Sequence, residues 1–218
     1  MRHALTTRLW HWLNLICVAT LLMSGLNISN AHKRLYWGDQ GFDPSQAWLH
    51  VPAFPGWMTI PDYYNLAAAR SWHLLAAWPF ALALLLVWIA MLLNSHFVRD
   101  VATNLKEWRW NAIKADIISH LKFEFDHEGG YNFLQKLAYG AVYGVFLPMM
   151  IFSGMAISPG IEPAVPWLGD LMGGRQSARS LHFIFAMLTF GFFLVHISLI
   201  LVTGPIRQIR GMITGERT

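Results

Sequence analysis

RSLHFIFAMLTFGFFLVHISLILVTGPIR, residues 179–207, is the stretch that decides how this chain folds. Between Arg179 and Arg207 stand 27 residues without a formal charge at neutral pH. A helix of roughly 20 apolar residues crosses a bilayer, so this stretch is long enough to span one. It holds two histidines, His182 and His196, 14 positions apart. That many steps of about 100° stop about 40° short of four turns, so both rings leave nearly the same face. At a rise of about 1.5 Å per residue they stand roughly 21 Å apart, one toward each edge of the hydrocarbon core. Ionisable groups at such depth are costly and point to function, with a partner to be named. Two stacked imidazoles suit two haems; hydrogen bonds to backbone or to neighbouring helices are the other use for them.

The rest of the chain has the same character. Of its 218 residues 55% are hydrophobic and only 13% charged, and the mean hydropathy is +0.39. An ordinary soluble domain carries about twice that share of charge. Stretches free of Asp, Glu, Lys and Arg run over 9–32, 71–98, 137–161 and 180–206. They predict an all-α integral membrane protein of four spans, at about 9–29, 71–94, 132–157 and 179–204. Four spans and their loops use residues 1–218 as a single membrane domain. The outer loops are 30–70 and 158–178, and the inner loop is 95–131. The first span begins like a secretory signal, but its apolar run is long and poorly suited to cleavage, so a retained helix is expected.

An isoelectric point near 9.4 would suit a nucleic-acid partner, but the basic residues follow topology instead. With the N-terminus inside, 11 of the 16 Lys and Arg residues fall on the inner side, which obeys the positive-inside rule. Both termini are therefore expected in the cytoplasm, and no nucleic-acid partner. Cys17, the only cysteine, excludes an intrachain disulfide, a four-cysteine iron–sulfur cluster and CxxCH haem attachment. It is expected to be a buried, inert thiol. Any haem is held non-covalently.

Three of the four spans carry histidine. In this topology His11 and His196 lie near the inner edge, and His73 and His182 near the outer edge. Two bis-histidine sites follow, one per leaflet, each with ligands from different helices. Arg8, Arg70 and Arg179 each precede one of these histidines by three residues. Positions i and i+3 share a helix face, and each Arg lies on the watery side of its His. Guanidinium binds a carboxylate in bidentate fashion, so these arginines suit haem propionates; anchoring at the interface is their other use. The predicted spans contain no Asp or Glu, which disfavours proton-coupled transport. Zinc wants four convergent ligands, and these histidines pair at opposite ends.

Smaller expectations concern the connections. The outer loop 30–70 is rich in Pro, Gly and aromatics, without a sustained period, and suits docking of an outer partner or shielding of a cofactor. The inner loop places Trp108, Ile113, Ile117, Leu121 and Phe125 at helical spacing, which suggests an amphipathic helix along the membrane. Its histidines His96, His120 and His127 are expected at water or headgroups. Pro79 falls within the second span, and Gly140 and Gly144 give the third a spacing that allows close helix approach.

RLWHWLN, ARSWHLL, YNFLQKLAY and GGRQSARSLHF…VH together resemble the prokaryotic cytochrome b561 superfamily, over almost the whole chain. That group includes the cytochrome b subunits of membrane-bound hydrogenases and formate dehydrogenases. YWG, SGMAISPG and PWLGDLMGGRQSAR look most similar to the thiosulfate-reductase-type subunits. The resemblance implies a four-helix bundle with two b haems in the bacterial inner membrane. His11 and His196 would serve the inner iron, His73 and His182 the outer one. It further implies exchange of electrons between the membrane quinone pool and a periplasmic oxidoreductase subunit, often a molybdenum enzyme. Asn132 and Gln135 correspond to the quinone residues of the relatives, together with His196. Where relatives have Gly, however, this chain has Leu134, which would narrow or move that pocket. Protons at the quinone would pass by Gln135, Lys136 or His127. A stand-alone superoxide:quinone oxidoreductase of b561 type is the rival expectation.

Overall fold

A computed structural model describes residues 5–41, 43–94, 103–104, 107–121 and 132–215. Helix α1 runs over Leu5–Ala31 and α2 over Leu66–Leu93, with Pro79 inside it. Helix α3 is Trp110–Leu121. The third apolar segment is built from α4 (Phe133–Ala141), one π turn (Val142–Phe146) and α5 (Leu147–Ile157). After the short α6 (Pro166–Leu171) come α7 (Arg175–Thr203) and α8 (Pro205–Thr214). Four of these segments are long and apolar enough to cross a membrane: Leu5–Ala31, Leu66–Leu93, Phe133–Ile157 and Arg175–Thr203. Each starts and ends within five residues of the span read from the sequence.

The chain divides into two compact units, Met1–Leu84 with Met150–Thr218, and Leu85–Met149. In the first, the burial pattern inverts that of a soluble bundle. Leu74, Leu75, Trp78, Leu82, Leu194, Val195, Leu201 and Val202 are exposed, whereas Ser24, Asn27, Ala69, Ala76, Ser153, Ala178 and Ser180 are buried. Lipid is as apolar as leucine, so burying leucine gains little there; small and polar residues let helices approach and bond. Cys17 is buried among them, as expected.

The loop after α1 is more ordered than its composition suggested. Arg34–Leu35 (β1) pairs antiparallel with Leu49–His50 (β2), and single 3-10 turns form at Pro44–Gln46 and Gly56–Met58. Two asparagines at the end of α1 hold this loop. Asn30 exchanges both of its amide bonds with the Phe54 backbone, at 2.9 and 2.8 Å. Asn27, fully buried, donates to the carbonyls of Pro61 and Tyr63 at 2.9 Å each and accepts from the Asn65 N–H at 3.3 Å.

The same loop docks on the start of α7. The Gly38 carbonyl accepts from the backbone N–H groups of Gln176 and Ser177, and the Gly38 N–H donates to Ser177 Oγ at 2.7 Å. Asp39 Oδ1 accepts from the Arg175 N–H at 3.1 Å. First-turn N–H groups have no partner within a helix, and here another segment supplies it. Gly174 must be glycine for this: its φ is +105°, and a Cβ there would meet Asp39 Oδ1 at 2.4 Å. Trp48 Nε1 donates to Ser180 Oγ at 2.9 Å, and that hydroxyl donates to the Tyr36 carbonyl at 2.6 Å. At the other end, α8 packs on the start of α1, where Trp12 Nε1 donates to the Met212 carbonyl at 3.2 Å. Helix α8 lies beyond the last span and was not foreseen.

In the second unit, part of the expected amphipathic helix is present as α3. Trp108 and Ile117 are exposed, while the buried position is Asp116. An apolar face turned outward with a carboxylate turned inward is the reverse of a helix packed on a soluble core. Its extension to Phe125 lies outside the described residues, as do His96, His127 and the side chain of His120. The small-residue spacing in the third segment meets no neighbour within its own unit. A Cβ at Gly140 or Gly144 would meet nothing within 4 Å, and Gly144 falls in the π turn, which takes it off the helical register assumed from its spacing.

Candidate functional site

Four histidines expected to pair do come together, two and two. His11 on α1 and His196 on α7 have ring centres 6.4 Å apart, with their planes at 54°. His73 on α2 and His182 on α7 have ring centres 6.1 Å apart, with their planes at 60°. A hydrogen bond between two imidazoles would need atoms near 3 Å and rings nearer to contact. Helix α7 contributes one member of each pair because its 14-residue interval returns to the same face. Among the described residues no group of three or more His, Cys, Asp or Glu is placed to hold a metal ion. A zinc site of the usual three or four ligands is therefore not formed by them.

The surroundings of the two pairs differ. His11 meets Trp12 edge-on at 5.4 Å, and Phe192 stacks on His196 at 6.1 Å. At the other pair the neighbours are polar. Ser24 Oγ lies 3.0 Å from His73 Nδ1, and Ser153 Oγ lies 3.0 Å from His182 Nδ1. Both serines are fully buried. The glycine after each serine faces the same ring: a Cβ at Gly25 would stand 3.5 Å from His73 Cε1, and one at Gly154 3.3 Å from His182 Cε1.

Of the three arginines, Arg70 and Arg179 share one neighbourhood with His32, just past the end of α1. Burial and the charges of Arg179 and Arg70 push the His32 imidazole below its ordinary value. Two cations with a neutral imidazole make an anion-seeking cluster. Sequence reading passed over His32 because nothing in its spacing links it to Arg70 or Arg179. Arg179 also donates to Gln176 Oε1 at 2.6 Å. Arg8 is engaged differently and donates to the Ile213 carbonyl on α8.

Asn132 and Gln135 form a reciprocal cap at the start of α4. Asn132 Oδ1 accepts from the Gln135 N–H at 2.9 Å, and Gln135 Oε1 accepts from the Asn132 N–H at 3.3 Å. This capping box satisfies two otherwise unpaired donors. Leu134, the departure noted in the sequence, gives its N–H to Asp116 Oδ2 at 2.8 Å. An open groove beside the cap is lined by Asn132, Phe133, Asp116, Ser119, Ala112 and Glu107. The groove and its two carboxylates were not legible beforehand, since α3 and α4 had to pack to create them. Lys136 reaches Glu107 Oε1 at 2.8 Å.

That pair has a measurable pH dependence. Hydrogen bonds from Lys136 and from the Asn104 backbone hold Glu107 below its usual value. A depressed carboxylate contributes its stability above its unfolded value and loses it as pH falls through the folded one. Both side chains are partly exposed, so the contribution is about 1 kcal/mol or less. Glu107→Gln should lower the melting temperature slightly at neutral pH and flatten its fall below about pH 4.5, so that the two profiles converge in acid. An unaltered acid limb would show that the pair contributes nothing.

A model of the family described as prokaryotic cytochrome b561 matches residues 2–215. The chain belongs to that family. This cytochrome b561 is also similar to a protein of Azospira oryzae named as a candidate protein-methionine-sulfoxide reductase subunit, YedZ1, at 27% identity over 212 residues. The alignment covers 96% of this chain and 93% of that relative. No solved structure matches. The family and the four apolar helices make this a multi-pass membrane b-type cytochrome, an electron-transfer subunit.

Membership implies b-type haem, and the histidine pairs can be tested against it. An imidazole nitrogen lies about 2.0 Å from a bound metal and ~1.2 Å from its own ring centre, so axial rings across one iron stand about 6.3 Å apart. Separations of 6.4 and 6.1 Å fit that span at both pairs.

Proposed function

We propose that this cytochrome b561 holds two b haems and carries electrons between the quinone pool and a periplasmic oxidoreductase. The observation that carries the reading is the pair of ring separations, each the width of one axially ligated iron. His11 and His196 would hold one haem, and His73 and His182 the other, each through neutral imidazole nitrogens. Bound there, haem supplies reversible one-electron carriage. The chain supplies the rest. Arg70, Arg179 and His32 attract propionates at one end, and guanidinium can take such carboxylates in bidentate fashion. Arg8 would serve a propionate of the other haem with the donors left after its bond to Ile213.

The groove beside α3 and α4 is the proposed quinone site, with Asn132 and Gln135 at its mouth and Asp116 or Glu107 as proton-exchanging groups. The capping box fixes Asn132 in place on the wall of the groove that a quinone carbonyl would enter. Lys136 would tune Glu107 through their ion pair. The proposed topology puts the groove, with both termini, on the cytoplasmic side of the bacterial inner membrane.

Exposed Trp37 and Trp48, stacked at 5.4 Å, and exposed Trp57, Tyr63, Tyr64 and Trp167 give the outer loops an aromatic surface for the partner. Aromatic residues are enriched at the centres of such interfaces. The partner would be a molybdenum enzyme of sulfur-compound metabolism; the name of the Azospira oryzae relative, which refers to methionine sulfoxide, supports a sulfur-containing substrate. The deciding measurement is the haem-to-protein ratio and reduced-minus-oxidised spectrum of the purified chain. Two b haems per chain, reducible by a quinol analogue, are expected. One haem would unseat one histidine pair, and none in a folded preparation would leave a bare anchor. Rapid quinone reduction driven by superoxide, without a partner, would favour the stand-alone enzyme instead.

A further inference from the structure

We infer that two Ser-Gly steps, Ser24-Gly25 on α1 and Ser153-Gly154 on α5, position the outer histidine pair and set the potential of the haem it holds. The inference rests on the dihaem reading above. Each serine stands 3.0 Å from the Nδ1 of one histidine, and each following glycine faces the Cε1 of that ring. The two arrangements are near copies, one from α1 onto α2 and one from α5 onto α7. Their surroundings extend the likeness. Each serine also donates to the carbonyl three residues before it, Ser24 to Leu21 at 3.2 Å and Ser153 to Met150 at 3.4 Å.

The direction of the hydrogen bond follows from the serine's own proton. Ser24 Oγ donates to the Thr20 carbonyl at 2.6 Å, so its lone pair faces His73, and His73 Nδ1 carries the hydrogen. Ser153 donates back to the Met150 carbonyl at 3.4 Å, and His182 Nδ1 is oriented in the same way. In a neutral imidazole with Nδ1 protonated, Nε2 holds the lone pair that a metal needs. The serines thus select the tautomer before any iron arrives. An isolated serine on a membrane helix would be content with its i−4 carbonyl; two fully buried ones, each aimed at one member of the same histidine pair, exceed that.

Glycine completes the seat. At 3.5 and 3.3 Å a Cβ would touch the rings, and anything larger than alanine would have to push them. The hydroxyl fixes rotation about Cβ–Cγ and the glycine fixes depth, which together hold the 60° angle between the two ring planes. Outer partners of ligating histidines orient the ring and raise its basicity. A more basic axial pair favours the ferric state, so these serines lower the potential of the outer haem. Trp12 and Phe192 pack on the rings of the inner pair, so the two haems should differ chemically.

The test uses the full haem-loaded chain, with optical redox titration and the low-spin ferric EPR signal of each haem. His182→Ala identifies the outer component as the one that disappears. Ser24→Ala, Ser153→Ala and the double variant should keep both haems and raise the potential of that component alone. At a poise that half-reduces the wild-type component, the reduced-to-oxidised ratio should rise severalfold, more in the double variant. Its EPR position should move as the ring angle relaxes, and Ser→Thr at each site should restore both signals. Unchanged potential and EPR position in the alanine variants would overturn the inference, as would a shift confined to the other haem. Haem loss that threonine restores supports the inference; haem loss that threonine does not restore points to packing alone and overturns it. Two haems surviving His182→Ala would instead sink the ligand assignment beneath it.

Discussion

On the dihaem reading proposed above, His182→Ala should leave this cytochrome with one haem in place of two and stop electron delivery to an outer partner. The ring lies on α7, three positions beyond Arg179, and is paired with His73 at 6.1 Å. Alanine removes one of the two imidazoles that would hold the iron, and the remaining His73 keeps its serine. Loss of a ligand typically costs far more than loss of a supporting hydrogen bond, itself worth about 10–100-fold in metal affinity. The pyridine haemochrome assay should read half the wild-type haem, and partner-dependent turnover should fall by about 100-fold or more. His196→Ala should remove the other haem and spare the outer one's spectrum. If both haems persist in His182→Ala with unaltered spectra, the assignment of axial ligands is wrong. The pair of variants also separates haem loss from unfolding, because each should leave the opposite site intact.

Asn27→Leu should be among the most destabilising single changes in the chain, although it approaches no histidine. Leucine matches asparagine in shape and suits a membrane helix, so helix propensity and lipid exposure do not oppose it. What it removes is a hub. Asn27 is fully buried and satisfies the carbonyls of Pro61 and Tyr63 and the N–H of Asn65. The Pro61 carbonyl keeps the Thr59 hydroxyl as a donor, but the Tyr63 carbonyl and the Asn65 N–H lose theirs. Each buried backbone group left without a partner costs about 1–3 kcal/mol, so the sum is of order 2 kcal/mol or more. The damage should concentrate in the loop between α1 and α2. Limited proteolysis should then cut near residues 54–65 in the variant and spare the wild type, and haem-retention melting should shift down by several degrees. Asn27→Asp keeps an acceptor and loses the Nδ2 donors, so it should fail nearly as badly. Wild-type resistance to cleavage in both variants would show that the loop is held by other contacts. Because the same loop docks Gly38 and Trp48 on α7, a modest change in the outer haem is also expected.

The positions of the four spans and the pairing of histidine depths could be read from the chain alone. Both depend on local properties: apolar length and helical register do not wait on neighbours. Arg8, Arg70 and Arg179 were legible as a repeated spacing, but only packing could assign them surroundings. Arg8 found the α8 carbonyl of Ile213, while Arg70 and Arg179 found each other and His32. Gly140 and Gly144 show the opposite failure. A spacing common in membrane helices suggests close approach on one helical face, and a π turn takes Gly144 off that register. The glycines that do meet a neighbour, Gly25 and Gly154, carry no local signature beyond a preceding serine.

Sequence by itself determined that this protein has four segments long and apolar enough to cross a membrane and four histidines spaced to pair two and two, because hydrophobic length and the helix period are properties of a single segment. Only the tertiary structure decided that Ser24 and Gly25 meet His73 and that Ser153 and Gly154 meet His182. It likewise decided that Asn27 binds a loop more than 30 residues away and that Asn132 and Gln135 cap a helix. A hydrogen bond between distant residues depends on where two separately formed helices or loops meet. That meeting is set by the packing of small and polar faces against one another, which no single segment encodes.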